Sequence, residues 1–202
     1  KVVAFTLYGK EIASSSIKNI YKTSHGGQAT QSLDTTWKNC IKIISELKNK
    51  INNFKNRVAI ISVTGQGDGT WLIDKKGKPV CDAWLWLDSR SSDIAKKLSK
   101  LNSEKLRFDL TGTGIFAGQQ SSQISYINKN NPEILDQSST AFHCKDWIYF
   151  KLTNVRATDP SEACFTFGNF RTRQYDENVI DGLGLTKRKN LLPDIIDGSK
   201  VT

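Results

Sequence analysis

Three glycines alternate with two hydrogen-bonding side chains in "GQGDGT", residues 65–70. The Gln66 amide and the Asp68 carboxylate can hydrogen-bond the hydroxyl groups of a ligand, and Gly67 leaves room for one to approach. The spacing fits neither nucleotide motif. Thr70 stands where a dinucleotide fingerprint needs glycine or alanine, and no Gly-Lys-Ser/Thr follows as in a phosphate-binding loop. The stretch therefore predicts a hydroxyl-binding loop or, alternatively, a tight turn with Asp68 as a turn residue.

A second candidate is "WLWLDSR", residues 84–90. On a strand, Trp84 and Trp86 share one face, Asp88 continues it and Arg90 follows. Such an aromatic wall can pack against the carbon skeleton of a polyhydroxy ligand, with Asp88 near its hydroxyls. The alternative is a core aromatic pair with an Asp–Arg ion pair at the strand end.

Two further motifs partly match known sites, a dinucleotide-binding loop and a Cys–His catalytic pair. "GTGIFA", residues 112–117, fits G-x-G-x-x-A before a predicted helix, and Glu133 follows at about the distance of a ribose-binding acid. However, the preceding "LRFDL" is a poor strand and Glu133 follows a proline. His143 and Cys144 are adjacent, but sequence neighbours point in different directions and pair poorly as base and nucleophile. No cluster has metal-ligand spacing.

The elements that must position these residues alternate between strands and helices. Residues 2–7 and 11–16 predict a hairpin, and residues 22–32 predict a loop. Apolar residues at helical spacing from 37 to 51 predict a helix that Asp34 caps. The β-branched run 58–63 predicts a strand buried on both faces, which places the glycine loop at its carboxyl end, where ligands bind in open α/β sheets.

The remaining chain continues this alternation. Two strands lie on either side of the "KKGKP" turn, helices are predicted at 91–101, 103–110, 121–130, 143–152 and 176–185, and a strand and turn at 165–176. The pattern predicts one α/β domain, with a mixed sheet flanked by helices.

Composition limits the function classes. The net charge is +9, but the lysines are scattered and few aromatics lie among them, which favours a solvated surface over a nucleic-acid interface. No stretch approaches ~18 uncharged apolar residues, so no membrane span is expected. The four cysteines are widely spaced, which is typical of reduced thiols and predicts a cytoplasmic protein.

In their order along the chain, four segments resemble the N-terminal domain of the FGGY family of carbohydrate kinases. They are "VAIISVTGQGDGTWLID", "WLWLDSR", "TGTGIFAGQQSSQISYI" and "CKDWIYFKLTNVRATDPSEACFTFGNFRTRQYD". The last departs from the family pattern at Asn154, where glycine is usual. Within the family, "GQGDGTWLID", "HCKDW" and "RATDPSEA" are most similar to the branch that phosphorylates erythritol.

The resemblance implies a ribonuclease H-like fold of the actin/hexokinase type and transfer of phosphate from ATP, with Mg²⁺, to a hydroxyl of a small polyol or sugar. The acceptor would be a tetritol such as erythritol, or a pentitol or pentulose such as xylulose. By position it implies substrate contacts at Gly67 and Asp68, at Trp86, and near Gly118 and Gln119. Gln66 and Asp88 join this set from their residue types alone.

The resemblance also implies missing parts. The family's D-x-G-T strand, its catalytic aspartate and its ATP-binding C-terminal domain have no counterpart in residues 1–202. We therefore expect one truncated domain, inactive alone, with no catalytic or metal-binding residue of its own, from a protein that could form a homodimer. The alternative is a non-catalytic sugar-binding or regulatory module of the same fold.

Overall fold

In a computed structural model, which describes residues 1–199, short strands alternate with helices. The strands are β1 (Val2–Phe5), β2 (Glu11–Ser15), β3 (Lys22–Ser24), β4 (Gln28–Gln31), β5 (Trp71–Ile73), β6 (Ala83–Trp84), β7 (Thr140–Phe142), β8 (Ala157–Thr158), β9 (Gly168–Asn169), β10 (Gln174–Tyr175) and β11 (Asp194–Ile195). The helices are α1 (Leu33–Asn49), α2 (Phe54–Arg57), α3 (Ser92–Leu98), α4 (Glu104–Thr111), α5 (Gln120–Asn130), α6 (Pro132–Gln137), α7 (Cys144–Thr153), α8 (Pro160–Thr166) and α9 (Glu177–Gly182), followed by a 3-10 helix (Thr186–Leu191). The predicted α/β class is confirmed.

The strands pair in both orientations. β1 and β2 form the predicted antiparallel hairpin, and antiparallel pairs also join β5 to β7 and β9 to β10. β4 lies between β3 and β6, while β8 and β11 are parallel. Among residues 1–199, α8 is the longest helix that was not predicted from the sequence. It was missed because its seven residues are too few to show a helical period and the first of them is a proline.

The loop predicted at 22–32 is wrong, because β3 and β4 form a hairpin there. Gly26 and Gly27 supply its turn with φ of 84° and 82°, a conformation that glycine adopts without strain. β4 is polar, but it is paired on both edges and most of it is buried. The side-chain nitrogen of Gln31 donates to Thr36 Oγ1 at 2.6 Å, so this polar side chain is satisfied inside the protein. The polar composition of β4 therefore did not predict that the strand is buried.

The long helix α1 begins slightly earlier than predicted. Ser32, and not Asp34, is its N-cap, and the Ser32 hydroxyl accepts from the Thr35 amide at 3.2 Å. Asp34 lies in the first turn, where a carboxylate interacts favourably with the helix dipole.

The buried strand predicted at 58–63 is also wrong. These residues form neither helix nor strand, and Ile60 and Ile61 are 66% and 61% exposed. A doubly buried strand needs strands on both edges and helices over both faces, and no strand within the described chain pairs with this run. The β-branched residues favour an extended strand, but no neighbouring strand among the described residues pairs with them.

β5 is buried on both faces, as is its partner β7. Trp71 and Ile73 pack into one core cluster with Phe142 and Trp147, while Leu72 faces the opposite cluster. This is the alternation that a strand imposes on successive side chains. The two cores hold β5 and β6 in place. The loop that carries Gln66, Gly67 and Asp68 precedes β5, and the loop that carries Trp86 follows β6.

Candidate functional site

The two motifs that the sequence singled out meet at one open pocket. The pocket has a volume of about 260 Å³ and is lined by Gln66, Gly67, Asp68, Trp86 and Phe116. Sequence reasoning missed Phe116, although an aromatic residue in a glycine-rich loop was a usable signal. Two aromatic rings and two hydrogen-bonding side chains therefore line a site open to solvent.

The 65–69 loop owes its shape to two successive left-handed residues. Asp68 has φ 56° and Gly69 has φ 78°. Aspartate tolerates this conformation better than most residues, whereas Gly69 is required, because a Cβ there would lie 2.6 Å from the Trp84 carbonyl oxygen. The Gly69 amide donates to the Gly118 carbonyl at 3.1 Å, which ties the loop to the segment before α5.

Glutamines on α5 hold the two halves of the pocket together. Gln120 Nε2 donates to the Gly69 carbonyl at 3.2 Å, and Gln123 Nε2 donates to the Leu85 carbonyl at 2.9 Å. Gln123 Oε1 also accepts from the Thr70 hydroxyl at 2.7 Å. Their supporting roles were not identified from the sequence, although both glutamines lie in the segment "TGTGIFAGQQSSQISYI".

Trp84 and Trp86 do not form one aromatic wall. β6 ends at Trp84, so the strand alternation that would have kept the two rings on one face stops there. Trp84 is buried beneath the Arg90 guanidinium, whose carbon lies 3.3 Å from its ring centroid, whereas Trp86 lines the pocket and is 50% exposed. The prediction of a shared face is wrong.

Asp88 is fully buried outside the pocket lining. Its Oδ2 accepts from the Ala29 amide at 2.9 Å and from Arg90 Nη2 at 2.7 Å. The geometry is that of the alternative interpretation, an Asp–Arg pair at a strand end. Asp88 therefore fixes the loop that carries Trp86 and does not face the pocket.

Gln119 is also fully buried, at the N-cap position of α5. Its amide nitrogen donates to the Phe165 carbonyl at 3.4 Å, and its oxygen accepts from Ser121 Oγ at 3.2 Å. The structure thus brings Gln66, Gly67, Asp68 and Trp86 together and leaves Asp88 and Gln119 behind the pocket surface.

The Asp68 carboxyl is the least satisfied polar group of the pocket. Its Oδ1 is buried and has no hydrogen-bond partner within residues 1–199. Burial raises the pKa of Asp68 to about 6, the charge of His143 opposes that rise, and the carboxylate of Glu162 adds to it. Buried acceptors are nearly always paired in proteins, so an oxygen without a donor beside a pocket is unusual.

His143 lies behind Asp68. Its Nδ1 is 3.1 Å from Asp146 Oδ2, and it caps α7. Burial alone would lower its pKa, but Asp146, Glu162 and Asp68 together raise it. The adjacent Cys144 has its pKa raised to about 12 by burial, so its thiol stays protonated and is a poor nucleophile.

The structure does not support the dinucleotide alternative. Gly112 follows a helix and not a strand, because it is the left-handed C-cap of α4 with φ 72°. Glu133 lies in the first turn of α6, not at a strand end. Across residues 1–199, no group of three His, Cys, Asp or Glu side chains is arranged to hold a metal ion, and none of the helices combines the length and the apolar character of a membrane span.

Solved structures share this fold. The chain superposes on a ligand-bound xylulose kinase from Lactobacillus acidophilus with a TM-score of 0.87 at 22% identity, covering 98% of this chain and 40% of that one. A glycerol kinase from Plasmodium falciparum, solved with ADP, gives 0.79 at 23% identity, covering 96% and 40%. The chain therefore shares the fold of the matched part of both structures, in agreement with the predicted actin/hexokinase type.

The family follows from the sequence match. Residues 1–202 match the family model described as "FGGY family of carbohydrate kinases, N-terminal domain", and the chain belongs to this family. It is 52% identical over 200 residues to the erythritol kinase of Brucella abortus (strain 2308). That match covers 99% of this chain and 38% of the relative, so the chain spans about two-fifths of its length.

Proposed function

We propose that this chain forms the acceptor-binding part of an ATP-dependent kinase that phosphorylates a hydroxyl of a small polyol, with a four-carbon tetritol such as erythritol as the preferred acceptor. The 52% identity to an erythritol kinase supports the four-carbon choice. A pentitol or a pentulose such as xylulose is the next candidate.

The observation that carries the proposal is the unpartnered Asp68 oxygen beside Trp86 and Phe116. A polyol presents hydroxyls along a hydrocarbon chain, so it needs both acceptors and an apolar surface. Asp68 would accept from one hydroxyl, the Gln66 amide would bind another, and the rings would pack on the C–H groups. Gly67 lines the pocket with backbone atoms alone.

Asp88 and Gln119 would act on the acceptor indirectly. Asp88 fixes the Trp86 loop through Arg90, and Gln119 starts the helix whose next residue, Gln120, binds Gly69. Both were predicted as substrate contacts, and we propose positioning roles for them, because neither lines the pocket.

ATP and Mg²⁺ belong to the proposal for the full-length protein. Phosphoryl transfer depends on positioning and on neutralising charge, and no covalent protein intermediate is needed. That the catalytic base and the magnesium-placing aspartate lie outside residues 1–202 stays a prediction. A cytoplasmic location, a homodimer and the absence of nucleic-acid binding stay predictions.

The decisive experiment measures ADP release by the full-length protein with glycerol, tetritols, pentitols and pentuloses. We expect turnover, with the highest kcat/KM for a tetritol. A pentulose as the best acceptor would contradict the four-carbon assignment. If ligands bind but none of them supports turnover, the protein is a sugar-binding or regulatory module and not a kinase.

A further inference from the structure

We propose that Glu162 and His143 are positioning residues for the acceptor loop: together they form a charged support beneath Gly67 and Asp68 that holds the loop and sets the ionisation of Asp68. This inference rests on the proposed function for its kinetic consequences, although its direct test does not. The proposal depends on contacts from three separate segments of the chain.

Glu162, on α8, contacts the loop at two successive residues. Its Oε2 accepts from the Asp68 amide at 3.4 Å. Its Oε1 would lie 3.0 Å from a Cβ at Gly67. Glu162 therefore occupies the space that a side chain at position 67 would need, and it binds the amide of a residue in the left-handed conformation. The absence of a side chain at Gly67 allows this approach.

Glu162 is held from the side of α7. Lys145 Nζ lies 3.5 Å from Glu162 Oε1 and also pairs with Asp159, the N-cap of α8. Asp159 accepts from the Glu162 amide at 3.3 Å. The Glu162 side chain is only 15% exposed, so this arrangement is shielded from solvent and weakly screened by salt.

His143 supplies the charge that separates two carboxylates. Its Nε2 is 3.6 Å from Glu162 Oε2 and has no hydrogen-bond partner in the described part of the chain, while Nδ1 faces Asp146. Burial lowers the pKa of His143, but Asp146, Glu162 and Asp68 raise it above its ordinary value, which favours the positively charged ring. That charge offsets the repulsion between Asp68 and Glu162.

The charged groups around the support come from the loop, α7 and α8. They are Asp68, His143, Lys145, Asp146, Asp159 and Glu162. Removing the positive ring leaves Asp68 beside the Glu162 carboxylate without its counter-charge, so Asp68 should then take up a proton at higher pH. Neutralising Glu162 as well should reverse part of that change.

The direct test is the titration of Asp68 in the full-length protein, followed by carboxyl ¹³C NMR and assigned with Asp68→Asn. We expect His143→Gln to raise the Asp68 pKa by about 1 unit. The double variant His143→Gln/Glu162→Gln should return it towards the wild-type value. Asp93→Asn, at an exposed side chain of α3, is the control and should change nothing.

The kinetic test follows acceptor KM, ATP KM and kcat from pH 5 to 9. In His143→Gln the rise of acceptor KM at low pH should begin about 1 unit higher, while ATP KM stays unchanged. A residue that only stabilises the fold would lower the melting temperature without moving this profile. If His143→Gln does not fold, Glu162→Gln replaces it. This variant keeps an acceptor for the Asp68 amide and removes the charge that raises the Asp68 pKa, so the rise of acceptor KM should begin at a lower pH than in wild type.

The two experiments distinguish a failure of the charged support from a failure of the proposed function. An Asp68 titration that superimposes on wild type in every folded variant overturns the charged support, whatever the activity. A wild-type protein that releases no ADP with any polyol overturns the proposed function, while a shifted Asp68 titration in the same protein still upholds the support.

Discussion

Gly118 lies directly against the backbone of Trp86. A Cβ at position 118 would be 2.0 Å from the Trp86 carbonyl oxygen and 2.7 Å from its carbonyl carbon. Only hydrogen fits in this space. Since the Gly118 carbonyl also accepts from the Gly69 amide, this one residue joins the Trp86 loop to the Asp68 loop. The pocket depends on a close backbone contact between segments about thirty and fifty residues apart along the chain.

Gly118→Ala should therefore destabilise the protein. The contact is with main-chain atoms, which cannot rotate away, so we expect a loss of about 3 kcal/mol in the free energy of unfolding, at the upper end of overpacking effects. Urea denaturation of the full-length protein measures it. Gly114→Ala is the matched control, because nothing lies within 4 Å of a Cβ there and its effect should be small.

Asp68→Asn should weaken acceptor binding. Asparagine keeps the size of the side chain and tolerates the left-handed backbone, so the loop is retained while the charge is lost. A hydrogen bond to a charged group contributes ~1.5–3 kcal/mol, which corresponds to a rise of about 10- to 100-fold in acceptor KM. Equal rises in acceptor and ATP KM would remove Asp68 from the acceptor site.

The same substitution should increase stability at neutral pH. The folded-state pKa of Asp68 is raised from 3.8 to about 6, so ionisation opposes folding as the pH rises through this window. Asp68→Asn should raise the free energy of unfolding by about 2 kcal/mol at pH 7 and by almost nothing at pH 3. Urea titrations at both pH values measure the difference, and an equal effect at the two would contradict the raised pKa.

Trp86→Ala should affect binding more than stability, because the ring is half exposed in the pocket. We expect acceptor KM to rise about tenfold, equivalent to ~1.4 kcal/mol, with a small change in melting temperature. Trp86→Phe retains an aromatic surface and should recover most of the affinity. A Phe variant as weak as the Ala variant would mean that the ring does not pack on the acceptor.

Asp88→Ala should affect stability more than acceptor binding. It leaves the Ala29 amide and the Arg90 guanidinium without their shared acceptor, and breaking a buried pair costs about 3 kcal/mol in unfolding free energy. Asp93→Ala, on an exposed side chain, should cost little. Acceptor KM at a temperature where both variants are folded should change less for Asp88→Ala than for Asp68→Asn.

The order of the motifs along the sequence identified the family of this protein. "GQGDGT", "WLWLDSR" and the long segment from Cys144 to Asp176 resemble the family in residue type, spacing and order, so the family was visible without coordinates. Helices such as α1 and α5 were also predictable, because apolar periodicity and stop signals are local properties.

The tertiary structure decided which side chains reach the pocket. Trp84 and Trp86 look equivalent in sequence, but β6 ends between them, so one is buried and the other lines the site. Asp68 and Asp88 are likewise both aspartates in loops. One has an unpartnered oxygen, whereas the other is paired with Arg90.

Tertiary packing also explains why the loop predicted at 22–32 and the buried strand predicted at 58–63 are wrong. Burial of a strand depends on neighbours that are distant in sequence, so polar β4 is buried between two strands while the apolar run 58–63 is exposed without one in the described residues. Glu162 reaches Gly67 and Asp68 from about ninety residues away for the same reason. Sequence sets the local propensity and the chemistry available, and long-range packing determines where that chemistry is placed.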